Sequence, residues 1–115
     1  MANPILDRAR LHFRADELRR IEVPEWGETP DAPLVLMAAP VTLADKQLLH
    51  NRYKAGGLQE MYVHALVLKA KKPDGTAAFD LGDKRALMTG ADPAVVERIA
   101  EAILASPSVE DAAKN

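Results

Sequence analysis

A chain of 115 residues, 48% hydrophobic and 28% charged with a net charge of −2, supports one hydrophobic core and carries too little charge to imply a nucleic-acid or membrane partner. It has no cysteine, which excludes a disulfide scaffold, a thiolate metal site and a cysteine nucleophile together and fits a reducing cytoplasm. No window approaches the roughly 18 apolar residues of a spanning helix, and Met1 to Arg8 lack the basic-then-apolar run of a secretory signal.

In chain order, residues 5–20 hold Ile5, Leu6, Ala9, Leu11, Phe13 and Leu18 among five arginines, which predicts a loosely held helix or arm. Residues 20–26 read as a strand running into a Trp26-Gly27 turn. Trp26 is the only tryptophan, and its indole needs both apolar cover and a partner for its N–H. It is expected at least partly buried, between the strands and the helices. The connector Glu28 to Pro33 contains two prolines, which cannot donate to a ladder. Leu34 to Ala38 is an apolar run of strand length, predicted to pair antiparallel with the first strand.

Thr42 with Asp45 three residues on is a variant capping box, and Leu43, Leu48, Leu49 and Tyr53 follow near helical spacing. Gly56-Gly57 is expected to end that helix. Leu58 to Lys69 is the most apolar segment, with Leu58, Met61, Tyr62, Ala65 and Leu66 in one stripe and Val63, Val67 and Leu68 widening it. Such a helix is central to the core or loses solvent against a partner. Pro73-Asp74-Gly75 is turn chemistry, and Ala77 to Phe79 a short extended piece. Asp80 with Asp83 caps a short helix closed by Gly90. Asp92-Pro93 opens the clearest helix, with Val95, Val96, Ile99, Ala100, Ile103 and Leu104 on one face and Glu97, Arg98 and Glu101 opposite. Ser106-Pro107 is expected to stop it, and residues 106–115 to fray.

The predicted architecture is a single domain over 1–115, α+β and mostly α: a small antiparallel β pair near the N-terminus packed on a bundle of about four helices, with 1–19 as an arm. Charge alternates along it. Residues 22–31 carry four acids and no base, residues 41–72 six bases against two acids, and residues 73–115 eight acids against four bases. Solvated faces produce such a pattern, and so does a surface that self-associates or docks a complementary partner.

Catalytic and cofactor chemistry finds no foothold. His12, His50 and His64 include no i, i+4 pair for zinc, so no metal or cofactor is expected, and His64 reads as a hydrogen-bonded core or interface residue. Ser106 and Ser108 lack a nucleophile-elbow setting. Glu97 and Glu101 lie on a solvated face, without the environment that shifts a carboxyl pKa. Gly56-Gly57 has no following Gly-Lys-Ser/Thr, and the Lys69, Lys71, Lys72 cluster lacks aromatics, which argues against nucleic acid.

Several segments together resemble the tail assembly chaperones of long-tailed bacteriophages and prophages. They are Val23-Pro24-Glu25-Trp26-Gly27, a strand before the Thr42/Asp45-capped helix, Pro73-Asp74-Gly75-Thr76-Ala77-Ala78-Phe79-Asp80 after a long apolar helix, the closing amphipathic helix, and Lys114-Asn115. The likeness covers about residues 20–115. The middle segment departs from the family, being basic and broken by Gly56-Gly57 where members often carry a longer apolar or acidic stretch. The resemblance implies a non-enzymatic protein of the bacterial host cytoplasm, absent from the mature particle. It would bind the tape-measure protein, keep it soluble and recruit major tail (tube) protein. It also implies a second, longer product made by ribosomal frameshifting near Lys114-Asn115. Expected partner-binding residues are Trp26, Leu49, Arg52, Tyr53, Lys54, Met61 and Tyr62. The alternatives are a small regulator or adaptor, antitoxin-like or nucleic-acid-binding, and a permanent structural tail component.

Overall fold

The structure, a computed structural model, describes residues 3–29 and 31–105. The expected stop at Ser106-Pro107 and the expected frayed tail lie outside the described residues. Helix α1 spans Pro4–Phe13. The Asn3 side chain accepts the Ile5 and Leu6 N–H groups at 3.1 Å each, Pro4 supplies a preset φ, and Arg14 ends the helix in the left-handed region at φ 52°. It is a helix, one of the two forms its mixed spacing allowed, and it buries no residue.

Strand β1 spans Arg19–Val23. It stops three residues short of the expected end, because Pro24 has no N–H for the ladder and Pro24–Trp26 winds into a 3-10 turn. Gly27 follows with ordinary extended backbone. It is needed for space: a Cβ there would strike the Ala32 carbonyl and the Pro33 Cα as the chain doubles back. Strand β2, Leu34–Ala38, lies antiparallel to β1 with Ile21 opposite Leu36 and Val23 opposite Leu34. That register puts Val23, Leu36 and Ala38 on the buried face, and Arg20 and Glu22 on the open one.

Helix α2 spans Leu43–Lys69. Its capping box is formed: the Thr42 N–H donates to Asp45 Oδ2 at 2.9 Å, and the Asp45 N–H to Thr42 Oγ1 at 3.1 Å. The helix is broken at Gly57, whose φ of 89° and ψ of −175° lie in a region essentially reserved for glycine. The break reverses the chain. In a straight helix residues 45 and 69 would stand about 36 Å apart, yet Lys69 Nζ lies 2.6 Å from Asp45 Oδ2. Residues 43–56 and 58–69 are therefore the two arms of a helical hairpin.

Strand β3, Ala70–Lys71, adds a third strand that the sequence pattern did not announce, antiparallel to Met37 and Ala38 of β2. A tight turn follows, closed by Gly75 N–H to the Lys72 carbonyl at 2.9 Å with Gly75 at φ 92°. Ala77 then bridges Lys71, and Phe79 meets Trp26 edge to face at 6.4 Å between centroids. A 3-10 turn at Leu81–Asp83 leads into helix α3, Lys84–Gly90. Helix α4, Pro93–Leu104, opens with the Ala94 N–H on Asp92 Oδ1 at 3.0 Å.

The core lies between the sheet, residues 58–69, α3 and α4. Val23, Leu36, Val63, Leu66, Ile99 and Ile103 fill it, with Trp26, Tyr62 and Phe79 half-buried at its edge. Arg19 ties sheet to helix by donating to the Ala102 and Ile103 carbonyls at 3.0 Å each. Arg98 holds Glu25 through two bonds of 2.7 Å, and Lys84 pairs with Glu60.

Candidate functional site

The two arms of the α2 hairpin differ sharply in burial. Residues 58–69 bury Val63, His64, Ala65 and Leu66. Residues 43–56 bury Leu49 alone, leaving Leu43, Leu48 and Tyr53 exposed. The near-helical stripe of this arm is therefore mostly open, because one helix on the sheet leaves the other arm on the outside. Among the described residues, eight of the eleven exposed large apolar side chains belong to α1 or to residues 43–58, so the uncovered apolar surface described is concentrated on one side.

That side is hollowed. A cavity of about 430 Å³ opens between the end of α1, the start of α2 and the end of α4, lined by Phe13, Pro40, Val41, Leu43, Lys46 and Leu104 among others. A second of about 320 Å³ shares Lys46 and Leu104 with it and adds Leu49, His50, Tyr53, Leu58 and Met61. Together they form one groove beside residues 43–58. Its helical wall is built from Lys46, Leu49, His50 and Tyr53, at i, i+3, i+4 and i+7. Its far wall, Leu58, Met61 and Leu104, is apolar.

Of the residues expected to bind a partner, Leu49, Tyr53 and Met61 meet in this groove, with Leu49 as its buried floor. Arg52 and Lys54 stand exposed on the same helical arm. Trp26 and Tyr62 lie elsewhere. Trp26 closes the sheet corner against Phe79, and Tyr62 lines a smaller hollow of about 150 Å³ with Leu87 and Met88. Phe13, Val41, Leu43, Lys46, Leu58 and Leu104 were missed. An aromatic in a basic arm and a leucine at the first position of a capped helix were their faint signals.

Electrostatics isolate the groove from the ion pairs of the fold. Burial pushes the Asp45 carboxyl up, but Lys69 and both Thr42 donors outweigh it and hold the carboxyl below its ordinary value. The Lys84 hydrogen bond lowers Glu60, and Arg98 brings Glu25 down to about 2. His64 is buried with Nδ1 unpartnered among the described residues, so the hydrogen bond expected of it is missing there. Burial, then the charges of Arg52 and Lys84, push its pKa down against a weaker pull from Glu60. Among the described residues, no group of three or more His, Asp or Glu could hold a metal ion, and no helix is long and apolar enough to cross a membrane.

What the arrangement offers is an apolar trough with Lys46 and His50 on one wall. Comparison with protein-family models, with curated proteins and with solved structures finds no match to this chain.

Proposed function

We propose that this chain is a non-enzymatic tail assembly chaperone of a long-tailed phage or prophage, working in the bacterial host cytoplasm. It binds the tape-measure protein, keeps it soluble, brings major tail protein to it and leaves before the tail is complete. The observation that carries the reading is the open groove beside residues 43–58, added to the motif likeness at Val23 to Gly27 and Pro73 to Asp80. A tape-measure protein is a long helix with apolar stripes that need cover until the tube encloses them, and an apolar trough fits a helix laid along it.

Co-expression with the tape-measure and major tail genes of the same genetic element tests this. Soluble tape-measure protein that co-elutes with the chain is expected, with loss of co-elution in a Leu43→Glu, Tyr53→Glu double variant. A tape-measure protein equally soluble without the chain would refute the reading, as would a toxin gene alongside in place of tail genes. A nucleic-acid-binding regulator is the second reading, favoured by the acid-free run 46–59 with its three bases. It predicts a salt-sensitive mobility shift of single-stranded RNA or duplex DNA.

A further inference from the structure

We infer that the groove takes an amphipathic helix whose apolar stripe is flanked by acidic residues. The inference rests on the groove being the working surface of the proposed chaperone and adds the charge of what it receives.

The first observation is where the basic side chains stand. Lys46 and His50 are one turn apart in the groove wall itself, and Lys54 follows one turn further on the same helix. None of the three has a carboxylate partner among the described residues. The one acid of residues 43–59, Asp45, is already held by Lys69 and Thr42. A lysine beside apolar surface stays solvated only while the groove is open. An occupant that shuts out water must return an opposite charge or leave the ammonium desolvated and unpaired.

The second observation is α1. Ten residues long, it buries nothing, and a helix of that length is marginal in water by itself. Its Phe13 lines the groove, and its Arg8 and Arg10, with Arg14 just beyond, have no ion-pair partner among the described residues. A ligand with carboxylates on both flanks of an apolar stripe meets Lys46, His50 and Lys54 on one side and the arginine arm at the groove's end. It covers Leu43 and Tyr53 with the stripe. The wall it follows, residues 43–56, is about 20 Å long, which corresponds to roughly four helical turns of occupant.

The charge requirement separates this occupant from others. A helix with basic flanks would set like charges against Lys46 and Lys54, which costs affinity and rejects the wrong partner.

The test uses the full chain and two synthetic, fluorescein-labelled peptides of about 20 residues, long enough for the wall. Both carry the same leucine stripe, and one has Glu and the other Lys at every flanking position. Anisotropy should show the Glu peptide binding about tenfold or more tighter, with the preference shrinking between roughly 0.05 and 0.2 M salt. Lys46→Glu with Lys54→Glu, both exposed positions, should invert the preference. Equal affinities, tighter Lys-peptide binding, or no response to the charge reversal would overturn the inference. So would tighter binding of a single-stranded RNA that displaces the Glu peptide, or sedimentation showing the groove closed by a second copy. Should the charge-reversed variant fail to fold, hydrogen exchange on the unaltered chain decides. Protection gained at residues 6–13 and 43–54 with the Glu peptide supports the inference, and protection gained only elsewhere overturns it. Co-elution with tape-measure protein but no peptide discrimination would sink the charge inference alone. Peptide discrimination without co-elution would sink the chaperone reading alone.

Discussion

Trp26 and Ile99 show what burial does at the scale of one residue. Ile99 is fully buried in α4, and truncation to alanine should cost about 2–5 kcal/mol. Trp26 keeps one side in solvent, so Trp26→Ala should cost about 2 kcal/mol, below the roughly 3–5 kcal/mol of a fully buried aromatic. Urea denaturation of the two variants checks the order. Tape-measure co-elution should survive the Trp26 change, because the ring faces Phe79 and not the groove. His64 gives the chain a pH response. Its folded pKa lies below its ordinary value of 6.5, so the unfolded chain takes up the proton first. Stability from this residue is full above about pH 6.5 and erodes as pH falls toward the lowered folded value. His64→Leu should flatten that limb of the urea midpoint below about pH 6.5. A separate loss follows at lower pH, as Asp45, Glu60 and Glu25 are protonated through their own depressed values, that of Glu25 at about 2.

At the scale of elements, the hairpin turns on Gly57. A side chain there meets almost no neighbour but must adopt backbone angles open essentially to glycine. Gly57→Ala should therefore cost about 1–3 kcal/mol through the backbone alone. It should also loosen the Asp45–Lys69 pair, read as a smaller depression of the Asp45 titration by NMR. Helix α1 should behave oppositely to α4. Its amides should exchange without protection, while those of 96–103 exchange only on global unfolding, as mass spectrometry would report. Much of this was legible beforehand. The Thr42/Asp45 cap, the Gly56-Gly57 break, β2 and the α4 face each follow from local chemistry, since caps, positive φ and period are short-range facts. Strand β3 was not legible. Ala70-Lys71 carries no strand signal and is extended because the edge of β2 offers it hydrogen bonds. The end of β1 was misjudged for the mirror reason, a proline outweighing the apolar Trp26 beyond it.

For the whole molecule, one side is packed and the other is not. The sheet, residues 58–69, α3 and α4 share a core, and the arm 43–56 closes only part of its own apolar face. The groove was half legible. Leu49, Tyr53 and Met61 belong to helical stripes, but Phe13 and Leu104 reach them only through the fold, from opposite ends of the chain. The acid–base–acid alternation resolves along the same line. The acids of 22–31 include the partners of Arg20 and of Arg98 on α4, and the bases of 46–54 are left facing outward.

Arg19 lends that asymmetry a mechanical side. Its guanidinium grips the last carbonyls of α4, and a few residues before it the chain becomes α1. A pull on the arm is therefore delivered to the final turn of α4, next to Leu104, as directly as to the strand ladder. A shift of the arm would thus carry the Leu104 wall of the groove along with β1, so that handle and wall move as one piece.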